Sequence, residues 1–95
     1  MKLLSTFIFS FFLFLAAIAQ TKAPSHEIFD KLLKKNVTAD GKVNYKAFIK
    51  DSLELNKYLN LISSTPPDEK NWSRYEQMAY WINAYNAYTI KLIIK

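Results

Sequence analysis

Chemistry near neutral pH usually needs a group that titrates there, and this 95-residue chain has one histidine, His26, and no cysteine. Next to Glu27 at a predicted helix start, His26 has the elements of a base or a ligand. With no second histidine and no thiolate, however, a zinc site of ordinary ligand spacing cannot be assembled. It therefore reads as a surface histidine, and no metal or cofactor is expected. Lack of cysteine also removes a disulfide framework, a thiol nucleophile and a thioether lipid anchor from these residues.

The turn signal Asp40-Gly41 between two apolar-patterned stretches invites comparison with a calcium hand. Setting Gly41 at the sixth loop position puts Asn36 first, Thr38 third, Asp40 fifth and Ala47 twelfth. The twelfth position needs a glutamate that gives the ion two oxygens, and alanine gives none. The segment reads as a structural turn. Asn36-Val37-Thr38 and Asn71-Trp72-Ser73 both match the acceptor pattern for N-glycosylation, which matters only in a host that performs it.

A different kind of signal lies in Ala79-Tyr80-Trp81-Ile82-Asn83-Ala84-Tyr85-Asn86-Ala87. On a helical wheel Tyr75, Met78, Ala79, Ile82, Asn86, Thr89, Ile90 and Ile93 share one face, with Asn86 near its middle, Asn83 on its flank, and Trp81, Tyr85, Tyr88 and Leu92 broadening it. A buried amide without partners costs about 1–3 kcal/mol. Asn86 is therefore expected to bond a neighbouring loop, such as the Asp40-Gly41 turn, or to orient a substrate or catalytic group. Of the two, the packing role is the better expectation. Asn83, Asn86, Trp81 and Tyr85 are the candidate functional residues, while the catalytic residues cannot be named from this sequence.

The elements that would position these residues are mainly helical, three to four helices with a short turn or strand near residues 40–45. Residues 20–25 are a polar lead-in in which Ser25 can cap a helix over 26–35, whose stripe is Ile28, Phe29, Leu32 and Leu33. Val43-Asn44-Tyr45 alternates like a very short strand, and a helical turn through Ala47, Phe48 and Ile49 follows. Leu55, Tyr58, Leu59 and Ile62 fall at helical spacing over 52–63, which Pro66-Pro67 closes off. Ser73 and Glu76 form a capping box for a last helix that no Gly or Pro interrupts. It is apolar over more than half its circumference and reaches Ile93-Ile94-Lys95 without a stop signal, as though cut off mid-element.

Residues 1–19 carry the three parts of a secretory leader: Lys2, an apolar run over 7–18 broken only by Ser10, and the small residues Ala17 and Ala19. Cleavage after Ala19 is expected. The apolar run is shorter than the roughly 20 residues that cross a bilayer, so no stable membrane insertion is expected after cleavage. The product would then be periplasmic or extracellular. The precursor has a formal net charge of +5 with 13 Lys and Arg, but the lysines are scattered and only Lys34-Lys35 are adjacent. That pattern suits a solvated helical surface and not nucleic-acid binding.

These residues bring a known family into view: residues 26–95 resemble the N-terminal half of the domain of unknown function 547. The resemblance is carried by Trp72-Ser73, Glu76-Gln77, the run from Ala79 to Ala87 and Thr89-Ile90-Lys91-Leu92. More weakly, it rests on Leu32-Leu33, Val37, Asp40-Gly41, Val43, Tyr45 and Tyr58-Leu59. Tyr80 and Tyr88 stand where Phe and Leu are expected. The resemblance implies an exported domain of mixed helix and strand, α+β in class and more than twice this length. It also implies a His and a Cys-containing run downstream, so no catalytic residue transfers onto this chain.

The resulting expectation is an exported, scaffold-forming N-terminal part, inactive alone and incomplete as a folding unit. Its principal partner would be the C-terminal half of its own domain. The complete domain would be hydrolase-like, since a Cys and His pair is one route to nucleophilic catalysis. The alternative is a non-catalytic secreted binding module that uses the aromatics between Trp72 and Tyr88. Exposure of Trp81 and Tyr85 bears on that choice.

Overall fold

The structure, a computed structural model, describes residues 22–95, so the expected leader, Ala17, Ala19 and the expected start at Gln20 lie outside the described residues. Four helices follow in order: α1 (Glu27–Asn36), α2 (Tyr45–Lys50), α3 (Ser52–Ser63) and α4 (Arg74–Ile94). Among the described residues there is no strand. The alternation at Val43 yields one antiparallel bridge, Val37 to Val43.

Three of the four helices, α1, α2 and α4, begin where the sequence offers a side-chain partner for the free amides of the first turn. Ser25 Oγ accepts from the Glu27 amide at 3.2 Å, and Asn44 Oδ1 accepts from the Ala47 amide at 3.0 Å to start α2. In α4 the capping box is reciprocal: Ser73 Oγ accepts from the Glu76 amide at 3.0 Å, and Glu76 Oε1 accepts from the Ser73 amide at 2.8 Å. Acidic Glu27 and Asp30 at the start of α1 and basic Lys34 and Lys35 at its end also match the helix dipole.

Between α1 and α2 the chain reverses tightly. Gly41 takes φ of +89°, the left-handed region that a side chain resists. The Gly41 amide donates to the Thr38 carbonyl at 3.0 Å, and the Thr38 amide donates to the Lys42 carbonyl at 2.9 Å. Thr38 Oγ1 also donates to Asp40. These bonds satisfy the turn from within and use two of the oxygens that a calcium loop would reserve for its ion.

Helix α3 sits at the centre, packed on α1, α2 and α4, while α2 also packs on α4. Its stripe of Leu55, Tyr58, Leu59 and Ile62 is buried as its spacing predicts. Phe29 of α1 stacks on Tyr58 with ring centroids 5.1 Å apart, and Phe48 of α2 is fully buried beside them in the same core. Burial of each such side chain contributes about 1.5–3 kcal/mol, so this cluster dominates the stability of the first three helices. None of the helices among the described residues is long and apolar enough to cross a membrane.

Candidate functional site

The helix that carries the candidate residues is built differently from the other three. Between Glu76 and Lys91, α4 has no charged side chain at all. Tyr80, Ala84, Ala87 and Ile90 face inward and are buried. The alanines let α4 approach closely, and Tyr80 spans the interface to α3: its hydroxyl donates to the Ile62 carbonyl at 2.7 Å. That bond gives the tyrosine at this position a role that a phenylalanine cannot fill.

The wheel assignment therefore needs correction. The buried stripe of α4 is centred on the small residues, and the face through Tyr75, Met78, Ile82, Asn86, Thr89 and Ile93 is exposed. A helix apolar on both sides offers two candidate inner stripes. Neighbours α2 and α3 select the one whose alanines permit close packing. Asn86 is exposed, so no desolvation cost obliges it to find a partner, and it does not reach the Asp40-Gly41 turn in any hydrogen bond. Asn83 is half-buried and donates to the Ala79 carbonyl of its own helix at 2.9 Å.

Trp81 and Tyr85 are 59% and 74% exposed, on one side of α4 with Tyr88 and Leu92, around a shallow aromatic concavity. Tyr75, Met78 and Ile82 continue the apolar surface around the helix. Trp72, in contrast, is buried against Tyr80 with ring centroids 5.6 Å apart. Its indole Nε1 has no hydrogen-bond partner among the described residues. Of the aromatics between Trp72 and Tyr88, four are exposed (Tyr75, Trp81, Tyr85, Tyr88) and two are inside.

No three His, Asp or Glu side chains lie together in a way that could hold a metal ion among the described residues. Asn36, the first position of the rejected calcium loop, is buried, and its amide donates to Asp51 Oδ2 at 3.0 Å. Lys35 reaches the same carboxylate at 3.2 Å. The Asn36 and Lys35 bonds hold the Asp51 carboxyl below its usual range. This cluster ties the end of α1 to the start of α3 and was not legible in the sequence, because the partners lie 15 residues apart with no local pattern between them.

His26 is not a free surface group. It is half-buried, and its Nδ1 lies 2.6 Å from the Tyr58 hydroxyl. Burial lowers its pKa, opposed by the nearby Asp30 carboxylate, while burial raises that of Tyr58. Sequence reading missed this pair too.

Residues 69–95 match the DUF547 family of proteins of unknown function. The matched segment is α4 with its cap and the turn before it. No curated protein and no solved structure matches the chain.

Proposed function

We propose that this chain is the N-terminal, scaffold-forming part of an exported domain of the DUF547 kind, and that α4 is an interior helix of the complete domain. The observation that carries this reading is the outer face of α4. It exposes Trp81, Ile82, Tyr85, Leu92 and Ile93 with no charge between Glu76 and Lys91, in the segment that the family matches. A helix apolar on all sides belongs in an interior, and large exposed apolar patches mark an interaction surface. The described residues supply the position of that helix; hydrolase-like chemistry belongs to the complete domain, on residues outside this chain.

The leader at residues 1–19 gives the proposed route of export, with Gln20 as the first residue of the mature protein. Mass spectrometry of the exported product decides that point, and a mass retaining residues 1–19 counts against it. For the scaffold reading, residues 20–95 should bind a hydrophobic dye strongly. A longer product of the same gene should not, and its Trp81 fluorescence should shift to the blue. A Trp81 still open to quenchers in that product overturns the reading.

One observation favours a second reading. Trp81 and Tyr85, with Tyr88, form an exposed aromatic row at i, i+4, i+7 spacing, which suits a non-catalytic secreted binding module. A gene that stops after Lys95, with a well-behaved product, selects this reading over the first.

A further inference from the structure

Among the described residues, His26, at the entry to α1, is a titratable side chain that bonds a second titratable side chain inside the helical core. Its imidazole sits edge-on to the Tyr58 ring, centroids 5.9 Å apart, and Nδ1 lies 2.6 Å from the Tyr58 hydroxyl, 32 residues away in sequence. Tyr58 is fully buried and stacked on Phe29, so its hydroxyl cannot swing to water. The bond to His26 is the one that this hydroxyl makes among the described residues. Ala23 of the lead-in also packs on the core, and the Asp30 amide donates to the His26 carbonyl at 2.9 Å. His26 is thus the point where the lead-in, the first turn of α1 and the middle of α3 are joined.

We propose that His26 and Tyr58 form a proton-sensitive latch, which fastens the start of α1 to α3 while the imidazole is neutral and loosens it when the imidazole is protonated. The direction follows from counting hydrogens. A phenol that has one partner is best satisfied as the donor, which makes Nδ1 the acceptor and puts the imidazole proton on Nε2. Protonation places a hydrogen on Nδ1 as well. The bond must then reverse, and the buried phenol hydrogen loses its acceptor.

The surrounding charges do not cancel this effect. On α1, Asp30 favours the protonated imidazole, but burial outweighs it and lowers the pKa. From α3 the imidazole meets the neutral phenol of Tyr58, whose pKa burial, Asp30 and Tyr80 of α4 all raise. Among the described residues the imidazole's side-chain partner is Tyr58, and Lys46 and Lys50 of α2 make no bond to it. A histidine whose folded pKa is depressed binds a proton more readily in the unfolded chain. Its contribution is therefore present above the unfolded value of 6.5 and is lost as pH falls through 6.5 toward the folded value.

Because His26 is the sole histidine, its imidazole resonances in the full 95-residue chain report the latch directly in an NMR titration. The expected midpoint lies below 6.5, and protection of the Asp30 amide, which donates to the His26 carbonyl, should fall as the imidazole gains its proton. Tyr58→Phe keeps the ring and removes the hydroxyl, so the midpoint should move up and the loss of protection should uncouple from it. In His26→Asn, which keeps an uncharged hydrogen-bonding group near the Nδ1 position, protection should be flat across the same range. A wild-type midpoint at or above 6.5, an unchanged midpoint in Tyr58→Phe, or pH-dependent loosening that persists in His26→Asn each overturns the latch.

Discussion

The two faces of α4 have nearly the same hydrophobic character and opposite fates. Inside, Tyr80, Ala84, Ala87 and Ile90 meet α2 and α3; outside, Tyr75, Trp81, Tyr85 and Leu92 meet solvent. Hydrophobicity by itself does not decide which side of a helix is covered. Shape does: on the covered side Ala84 and Ala87 let α4 approach its neighbours while Tyr80 and Ile90 fill the space above and below them, whereas the large rings outside have no partner among the described residues shaped to receive them.

Truncating one large side chain on each side of the boundary, and reading local stability from amide exchange, tests most directly whether the two faces differ. Phe48→Ala, which empties the covered side where α2 meets α4, should cost about 3–5 kcal/mol. Ala87→Leu should cost about 1–3 kcal/mol by overpacking the closest approach. A smaller loss, about 1 kcal/mol, is expected for Ser73→Ala, which removes one half of the capping box and frays the start of α4. Tyr80→Phe removes a single bond across the α3 interface and should cost about 0.5–1.5 kcal/mol. Smallest of all, Tyr85→Ser on the open side should change protection by less than about 0.5 kcal/mol in this chain. In a longer product that covers the face, the same substitution should become costly. Equal and small effects at Ala87 and Tyr85 would mean that the two faces are not different in the way described.

Much of the helical framework was legible in the sequence. The α3 stripe, the Ser73 and Glu76 box and the Asp40-Gly41 turn are each set by residues within a few positions of one another, so spacing is enough to find them. The choice of inner face for α4 was not legible, since a stripe of Trp, Tyr, Ile and Met and a stripe with two alanines both satisfy the same period. Asn86 was misplaced for that reason. The bond from Asn36 to Asp51 and the bond between His26 and Tyr58 also escaped, because each joins helices whose relative placement no local pattern encodes.

The burial of Asn36 also sets an order of events. Its side-chain nitrogen, the atom to which a sugar would be joined at Asn36-Val37-Thr38, is committed to Asp51 in a nearly closed corner where α1 meets the start of α3. At Asn71-Trp72-Ser73 the asparagine is exposed, and its side chain bonds the nearby Asp68. In a host that attaches glycans to chains emerging from the translocon, folding and modification would compete for Asn36 and not for Asn71. A chain that received a glycan at Asn36 first could not close the corner afterward, so a single modified form, carrying its sugar at Asn71, is the one compatible with these four helices.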